Sequence, residues 1–385
     1  MITSAAIKNK AADLGFDLCG ISPVDDFPEL EFLDEWLARG YAGDMSYMSR
    51  SAERRADVRA VVPGARSVVV TGTLYNTGSE SGDDPTHVPE PHCESDRHPT
   101  LTPSESDRHP EPHCESDRPP TLTPDRAVIA RYAWGDDYHD VLKARLDALL
   151  AWMRGESPEP FEARAYVDTG PVQERVYAQY AGLGWIGKNT CLINAEVGSW
   201  LFLAEIICTL PLEPDTQGLE QCGSCRRCLD ACPTGALVEP GVLDSTRCLS
   251  YLTIELRTGI PEEYRAALGN HVYGCDICQE VCPYNQPSPS SSDAAWHPRR
   301  GLDLPRLVDL WQRSDADLRA LVKGSAMTRA KITGLRRNLA VAIGNSRDPD
   351  ACAALEERRP DQPAASDPMV AEHIDWAIRQ GERFP

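Results

Sequence analysis

Eight of the 14 cysteines lie between Cys222 and Cys282, and their spacing is typical of iron–sulfur cluster ligands. The first motif reads Cys-x2-Cys-x2-Cys-x3-Cys-Pro from Cys222 to Pro233. The second reads Cys-x2-Cys-x3-Cys-Pro from Cys275 to Pro283, and Cys248 stands 27 residues before it. Because a 4Fe-4S cubane takes four thiolates, the eight cysteines account for two clusters with none left over.

The grouping of the ligands follows from a rule for two-cluster proteins: the cysteine that precedes proline in one motif binds the cluster held mainly by the other motif. Two ligand sets are therefore predicted, and each draws on both motifs. One cluster is assigned Cys222, Cys225, Cys228 and Cys282, and the other is assigned Cys232, Cys248, Cys275 and Cys278.

Disulfides and zinc are the alternative uses of these cysteines. A disulfide framework is typical of small secreted proteins, but this chain has 385 residues and its first residues contain no apolar signal segment. Zinc also binds Cys-x2-Cys pairs. The triple repeat with a Cys-Pro close behind it favours iron–sulfur clusters, which soft thiolate ligands suit well.

Asp168 is the best candidate for acid–base chemistry. It follows a predicted strand, 163–167, and opens the turn Asp-Thr-Gly-Pro, where side chains commonly face a cleft. A carboxyl in that place could act as a general acid if burial raised its pKa. It could equally cap the predicted helix 172–181, and the residues alone leave both roles open. The pairs Tyr138-His139 and Glu174-Arg175 are weaker polar candidates.

The elements around these residues mix helices and strands. Apolar periodicity and β-branched runs predict helices over 2–14, 30–38, 138–153 and 172–181, and strands over 17–22, 67–74, 163–167 and 200–208. The part after residue 302 is predicted to be helical, with one helix pair resembling a HEAT repeat. Because a simple electron carrier would not need the long segment before Cys222, that segment is expected to build the site that receives the electrons.

The charge is unevenly distributed along the chain. A net charge of −20 argues at first against a nucleic-acid partner. Residues 297–347, however, hold 11 basic and four acidic residues, and such a patch can bind a phosphate backbone. A solvated helix face is the alternative. No run of about 18 apolar residues is present, so no membrane span is predicted, and reduced cysteines indicate a cytoplasmic protein.

Residues 80–125 differ in kind from the rest. They contain a near-identical duplication, EPHCESDRHPTLTP and EPHCESDRPPTLTP, offset by 21 residues. With 12 acidic residues and little to bury, this segment is predicted to be a disordered insertion.

Several segments together resemble the epoxyqueuosine reductase family. They are RYAWGDDYHDVL at 131–142, VDTGPVQERVYAQYAGLGWIGKN at 167–189, GSCRRCLDACPTGAL at 223–237, RCLSYLT at 247–253, YGCDICQEVCPYN at 273–285 and RAKITGLRRNLAVAIGN at 329–345. The combination spans most of the chain outside the insertion and is far more specific than the cysteines alone.

The resemblance implies a particular α+β layout. Residues 1–79 and 126–215 would form a nitroreductase-like, cobalamin-binding catalytic domain, interrupted by the insertion at 80–125. Residues 216–287 would form a bacterial two-cluster ferredoxin-like domain. Residues 294–385 would form a helical, HEAT-like region that contacts tRNA.

The resemblance also implies an activity. Family members reduce epoxyqueuosine to queuosine at the wobble position of tRNAs for Tyr, His, Asn and Asp, the last step of queuosine biosynthesis. They use cob(I)alamin, which is reduced through the two 4Fe-4S clusters. Asp168 matches the family's acid, which protonates the departing oxygen. A ferredoxin- or flavodoxin-type protein would donate electrons, and the chain is expected to be a monomer without a membrane partner.

Further contacts come from the family by position. Cobalamin contacts are implied for Arg55, Asp168, Leu192, Leu203, Ser250 and Asp276. Contacts with tRNA phosphates are expected from Arg329, Lys331, Arg336 and Arg337.

Two other functions remain as alternatives. A reductive dehalogenase-like cobalamin enzyme would act on a small molecule, but such proteins typically carry a twin-arginine leader, which residues 1–10 do not show. A non-catalytic ferredoxin-type carrier would leave the long N-terminal part without a purpose.

Overall fold

The computed structural model describes residues 2–77, 124–357 and 361–383. The duplicated segment, with Cys93 and Cys114, lies outside the described residues. The predicted disorder of 80–125 falls almost wholly outside them too. Within the described residues no helix is long and apolar enough to cross a bilayer.

The described residues form a mixed helix and sheet structure, as the α+β prediction requires. The longer helices are α1 (Ser4–Asp13), α2 (Pro28–Ala38), α5 (Tyr138–Glu156), α6 (Glu174–Tyr180), α8 (Leu249–Ile254), α12 (Asp315–Val322), α13 (Lys331–Ser346), α14 (Pro349–Glu356) and α15 (Pro368–Arg383). The shorter helices are α3 (Ser46–Arg50), α4 (Ala52–Ala56), α7 (Arg227–Asp230), α9 (Glu262–Arg265), α10 (Ile277–Glu280) and α11 (Leu307–Trp311). The strands are β1 (Leu18–Pro23), β2 (Ser67–Leu74), β3 (Val128–Ile129), β4 (Ala163–Tyr166), β5 (Trp185–Ile186), β6 (Leu192–Ile193), β7 (Leu201–Cys208), β8 (Leu237–Glu239), β9 (Val242–Leu243) and β10 (His271–Tyr273).

The main sheet has four antiparallel strands in the order β1-β2-β7-β4. Its two central strands, β2 and β7, are rich in Val, Ile and Leu and almost entirely buried, as suits strands covered on both faces. Glu205 on β7 pairs with Val70 on β2 and with Tyr166 on β4. That register places Glu205 beside the end of β4, two residues before Asp168.

The two faces of the sheet carry separate apolar cores. Because successive side chains of a strand point to opposite faces, Phe202, Ala204 and Ile206 pack with α1 and α5, whereas Leu203 and Ile207 pack with α2 and α6. Glu205 has the same parity as Leu203 and Ile207. Its carboxyl therefore points to the side of the sheet that α6 covers.

The C-terminal helices are tied to the cysteine segment. α13 packs against α11, α14 and α15 in a third core that also includes α8 and β10. Arg337 donates hydrogen bonds to the carbonyls of Leu252, Leu256 and Thr258, and Asn338 donates to that of Val272. These bonds join α13 to the backbone that follows Cys248 and precedes Cys275. The HEAT-like and nitroreductase-like descriptions stay predictions.

The element boundaries differ from the sequence-based ones in detail. The predicted helix 138–153 runs on to Glu156, so Gly155 does not end it. The last turn is exposed, and a Cβ added at Gly155 would meet no atom within 4 Å. The packing there therefore does not require a glycine. The predicted helix 172–181 begins only at Glu174, with Gln173 before it.

Candidate active site and cysteine clusters

A large cavity of about 2250 Å³ opens beside the main sheet. This volume is well above the roughly 300–1,000 Å³ of an ordinary small-molecule pocket. Its wall consists of α2, the α3–α4 segment and the loop from β4 into α6, together with Thr190, Ser245 and the start of α13. Ser245, Ile254 and Tyr273 belong to the cysteine segment, so the cavity lies between the sheet and part of that segment.

Asp168 stands in this cavity in an unusual backbone conformation. Its φ of 55° lies in the left-handed region, which costs free energy for a residue other than glycine and is often found at functional sites. The side chain is 55% exposed, and its open side faces the cavity. The capping alternative is wrong, because α6 begins at Glu174 and Gln173, not Asp168, precedes it.

His139 links Asp168 to a second carboxylate. Its Nε2 lies 3.3 Å from Oδ2 of Asp168, and its Nδ1 lies 2.7 Å from Oδ1 of Asp137. Asp137 also caps α5 by accepting a hydrogen bond from the backbone of His139. The imidazole is thereby fixed in direction. His139 is the one histidine among the described residues that line the cavity, and both of its ring nitrogens are occupied.

The charges in this group favour a protonated imidazole. Burial alone would lower the pKa of His139, but its hydrogen bonds to Asp137 and Asp168 raise it to about 9. Burial alone would raise the pKa of Asp168, yet the hydrogen bond and charge of His139 hold it below its ordinary value. At neutral pH the free protein therefore holds an imidazolium next to an ionised Asp168. The structure therefore makes His139 a stronger candidate for acid–base chemistry than the sequence alone indicates.

Two further carboxyls lie near Asp168. Glu174, the first residue of α6, lines the cavity, and burial followed by the charge of Asp168 raises its pKa to about 7. Glu205 is 1% exposed, and burial followed by the charge of Glu174 raises its pKa well above the ordinary value. Sequence reasoning assigned no role to Glu205. Its one signal was a charged residue inside an otherwise apolar strand.

The six predicted cobalamin contacts divide into two groups. Arg55 and Asp168 line the cavity. Arg55 is oriented by hydrogen bonds from its Nε to Ser51 Oγ and from its Nη1 to the Val172 carbonyl, both 2.9 Å long. The other four residues are not among those that line the cavity, so their contacts stay predictions. They are Leu192 and Leu203 in the core under α6, Ser250 in α8, and Asp276, which accepts a hydrogen bond from the Arg131 backbone.

The first predicted ligand set surrounds a small cavity of its own. Cys222, Cys225, Cys228 and Cys282 line it together. Trp185 Nε1 donates to the sulfur of Cys222 at 3.4 Å, and hydrogen bonds of this kind stabilise thiolate ligands. The structure therefore brings Cys282, distant in sequence, to the three cysteines with which it was grouped.

In the second predicted set, Cys248 is near enough to Cys232, Cys275 and Cys278 for their charges to act on one another. Burial, with the nearby Cys232 among the further causes, raises the pKa of Cys248. Burial, with Cys248 contributing, raises that of Cys275. A hydrogen bond to Cys191, then burial and then the charges of Cys275 and Cys248 raise that of Cys278.

The sulfurs are spread rather than gathered at one point. Across the part of the chain that is described, no three His, Cys, Asp or Glu side chains converge as ligands of a single metal ion. In a cubane each iron takes a different cysteine, so its four ligands need not converge.

Two of the four predicted tRNA contacts are wrong. Arg336 and Arg337 are 0% and 1% exposed. Arg336 Nε donates to Asp315 Oδ1 at 3.0 Å, and Arg337 is bound to backbone carbonyls of the cysteine segment. These guanidinium groups stabilise the fold and cannot reach a phosphate. A run of charges in sequence does not show which side of a helix is buried.

Arg329 and Lys331 are exposed and line the cavity, so their contacts stay predictions. Arg329 shares its charge with Glu255 through two hydrogen bonds of 2.8 Å. Arg50 and Arg54, which sequence reasoning missed, are also exposed on the cavity wall.

Comparisons with known proteins agree with one another. Residues 221–285 match the family described as 4Fe-4S double cluster binding domain, and residues 108–169 match Epoxyqueuosine reductase QueG, DUF1730. The epoxyqueuosine reductase of Xanthomonas campestris pv. campestris is 36% identical over 98% of this chain and 96% of its own length. That of Gloeobacter violaceus is 42% identical over 90% of this chain and 97% of its own.

Solved structures give the same result. An epoxyqueuosine reductase crystallised with an epoxyqueuosine-modified tRNA-Tyr stem loop is 28% identical, with a TM-score of 0.78 over 98% of this chain and 89% of that one. A Bacillus subtilis epoxyqueuosine reductase, whose aspartate-bearing catalytic loop is swung out of the active site, is 27% identical. Its TM-score is 0.75 over 98% of this chain and 97% of that one.

Proposed function

The chain belongs to the epoxyqueuosine reductase family, and we propose from this that it reduces epoxyqueuosine to queuosine at the wobble position of tRNA. The observation that carries the proposal is the carboxyl of Asp168, directed into a cavity of about 2250 Å³ that borders the cysteine segment. An acid, a space for a large cofactor with a nucleoside, and a nearby source of electrons would thus meet at one place. The acceptors would be the tRNAs for Tyr, His, Asn and Asp.

The cysteines would hold two 4Fe-4S clusters in the sets named above. Support comes from the cavity that Cys222, Cys225, Cys228 and Cys282 line together, and from the charge interactions of Cys248 with Cys232, Cys275 and Cys278. The proposed domain boundaries, with the cluster domain at 216–287, follow the same grouping.

Cobalamin fits the larger cavity by size and by lining. Arg55 and Asp168 would contact it, and the sole lining histidine among the described residues has both ring nitrogens bonded to carboxylates. When bound, cobalamin would supply a strongly reducing cobalt centre next to the substrate. The predicted contacts of Leu192, Leu203, Ser250 and Asp276 would require the cofactor to reach beyond the residues that line the cavity.

The protein's own residues would handle the protons. Reducing the epoxide to an alkene breaks both carbon–oxygen bonds, consumes two electrons and two protons, and releases the oxygen as water. Asp168 would deliver a proton to that oxygen, and His139 would orient Asp168 and hold a proton beside it. A nucleoside seated in the cavity would exclude water and so strengthen these interactions.

The substrate tRNA would be held at the cavity mouth by exposed cations. Lys331, Arg329, Arg50 and Arg54, which are exposed and line the cavity, would meet phosphates around an extruded wobble nucleoside. A base in a single-stranded loop is unstacked at little cost, which suits a recessed site. The proposal also includes a ferredoxin- or flavodoxin-type protein as electron donor. The protein itself would be monomeric and cytoplasmic.

The two alternatives are not favoured. A carrier has no need of a deep cavity with an organised Asp137–His139–Asp168 group. A small-molecule dehalogenase would leave the exposed cations at the mouth unexplained, and the matched family and relatives are epoxyqueuosine reductases.

The test is a reconstitution without oxygen. Iron and cobalamin bound per chain are measured, a chemical reductant and epoxyqueuosine-containing tRNA are added, and nucleosides are quantified by mass spectrometry. About eight irons, one cobalamin and formation of queuosine are expected. Iron without cobalamin binding would favour the carrier, and bound cobalamin without conversion of the tRNA would refute the reductase.

A further inference from the structure

We propose that the loop 222–228, together with Lys188, is the docking site of an acidic electron-carrier protein. Electrons would enter there, through the cluster assigned to Cys222, Cys225, Cys228 and Cys282. The proposal rests on the reductase function and names the surface at which its electrons arrive. Each epoxide consumes two electrons, and a 4Fe-4S cluster carries one at a time, so the protein must be recharged from outside in every turnover.

The loop 222–228 lies open to solvent. Four of the five residues between Cys222 and Cys228 are exposed, namely Gly223, Ser224, Arg226 and Arg227. A Cβ added at Gly223 would meet no atom within 4 Å, so the described chain leaves the backbone of the loop uncovered there. A partner protein can therefore approach the loop from outside.

Two members of the second predicted set stand in more enclosed surroundings. Cys275 lies between two buried residues, Gly274 and Asp276. The segments that carry Cys248 and Cys275 also form part of the wall of the large cavity, whereas no residue of 221–240, all of which the structure describes, belongs to that wall. A partner on the loop would thus reach the first set without entering the cavity that the tRNA nucleoside needs.

Three cations lie at this loop. Arg226 is 63% exposed, and Arg227 is also exposed and lines the small cavity with the four cysteines. Lys188 Nζ donates hydrogen bonds to the carbonyls of Gly223 and Cys225, the second of them 3.0 Å long. These bonds hold the ammonium group against the loop, so its charge adds to those of the two arginines.

Two carboxylates oppose the three cations. Asp230 lies 3.7 Å from Arg226 in an exposed contact that holds the guanidinium only weakly, and Glu220 accepts a hydrogen bond from the backbone of Cys222. Three positive and two negative charges leave a balance of +1 at the loop, whereas the whole chain carries −20. An acidic partner is therefore repelled by the protein as a whole and attracted at this place, which directs its approach.

The partner is a carrier protein rather than a small cofactor. The cavity between the four cysteines has a volume of about 40 Å³, far below the roughly 300–1,000 Å³ of a small-molecule pocket, so no nicotinamide or flavin could bind there. A protein that presents a reduced flavin or iron–sulfur group at an acidic surface fits instead. It makes a small, transient contact, gives one electron to the cluster and leaves oxidised by one electron. Two such encounters supply the two electrons of one turnover.

The test measures how fast a carrier protein reduces the clusters. A flavodoxin, which is an acidic protein with one flavin, is reduced to its hydroquinone and mixed without oxygen with the protein that holds clusters and cobalamin. Stopped flow follows the flavin semiquinone that forms. The variant Arg226→Glu/Arg227→Glu is compared with Arg154→Glu/Arg319→Glu, which replaces two exposed arginines of α5 and α12 and changes the net charge equally.

We expect the second-order rate constant of the loop variant to fall about 10- to 100-fold at low salt, within the range of electrostatic steering, and that of the control to stay unchanged. The difference should shrink as the salt concentration rises to about 1 M, where the Debye length is about 3 Å. Arg226→Gln, which removes one exposed charge and leaves the small cavity intact, should give a smaller loss in the same direction. Reduction by dithionite, a small ion that needs no docking surface, should differ much less among the proteins.

Equal rate constants in the wild type and the loop variants would overturn the proposal, and so would a flavodoxin that fails to reduce the wild type. Equal losses with flavodoxin and with dithionite would overturn it too, because the substitutions would then act on the cluster itself. A loop variant that lost affinity for tRNA but kept its flavodoxin rate would assign the surface to RNA instead. No tRNA takes part in the electron-transfer assay, so queuosine formation by the wild type with dithionite tests the reductase function separately.

Discussion

The cysteine segment and the cavity wall are built in opposite ways. The eight cysteines come from one short stretch, and their spacing alone groups them. The cavity wall gathers Arg55, His139, Asp168 and Lys331 from four distant parts of the chain, joined by the sheet and α13. Local spacing is thus sufficient to predict the cluster ligands. The acid–base groups depend on contacts that only the folded chain provides.

The largest effect is expected from Cys275→Ala. Because the two ligand sets are separate, iron should fall from about eight to about four per chain, and turnover should fall to background. Iron analysis, the cluster absorbance and queuosine formation measure this. Cys352→Ser, which removes a thiol outside both sets, should keep all the iron. Full iron content in Cys275→Ala would contradict the assignment of the second set.

Next comes Asp168→Asn, which alters the cavity and leaves the cysteines untouched. The variant cannot donate the proton, so kcat should fall about 10²- to 10⁴-fold. Iron, cobalamin and tRNA binding, measured by absorbance and titration, should stay as in the wild type. Wild-type turnover would remove Asp168 from the mechanism.

Smaller effects are expected from replacing one buried and one exposed basic residue of α13, Arg336 and Lys331. Arg336→Met breaks the buried pair with Asp315 and should lower the free energy of unfolding by about 3–5 kcal/mol. Lys331→Met should change that free energy by about 0.5 kcal/mol or less. It should instead weaken tRNA binding and reduce the slope of log affinity against log salt by about 0.7 to 0.9. Denaturant titration and tRNA binding at several salt concentrations distinguish the two variants. Equal losses of stability in Arg336→Met and Lys331→Met would contradict the assignment of one residue to the fold and the other to tRNA.

The smallest effect is a pH dependence carried by His139. The pKa of His139 is 6.5 in the unfolded chain and about 9 in the folded protein, so the folded state binds more protons between these two pH values. The stability that His139 contributes is full below pH 6.5 and is lost as the pH rises through 9. Urea unfolding of the wild type and His139→Gln should therefore differ at pH 6 and converge near pH 9.5. A difference that does not depend on pH would exclude a protonated imidazole.

Much of the fold was accessible from sequence because its signals are local. The β-branched run in β2 and the periodicity of α5 predict their elements within a few residues. Asp168 was found from the strand and turn around it, but the choice between acid and helix cap needed the true start of α6. That start depends on packing across the sheet, which no short window contains.

Burial was the quantity that sequence could not provide. Arg329 and Arg336 belong to the same run of basic residues, yet one is exposed at the cavity and the other is enclosed by Trp311, Arg313 and Asp315. Glu205 shows the converse, since an acidic residue inside an otherwise apolar strand is buried beside the end of β4. In both cases the three-dimensional surroundings decide what the charge does.

The bonds from Arg337 and Asn338 have a consequence for how the protein tolerates shortening. They hold the backbone between Cys248 and Cys275, two members of the second predicted set, from a helix that follows it in the chain. Deleting the C-terminal helices would therefore release the backbone between these predicted cluster ligands as well as remove the exposed Lys331 from the cavity wall. A truncated protein would lose its inorganic sulfur and iron to air faster, and the damage would mimic a ligand mutation.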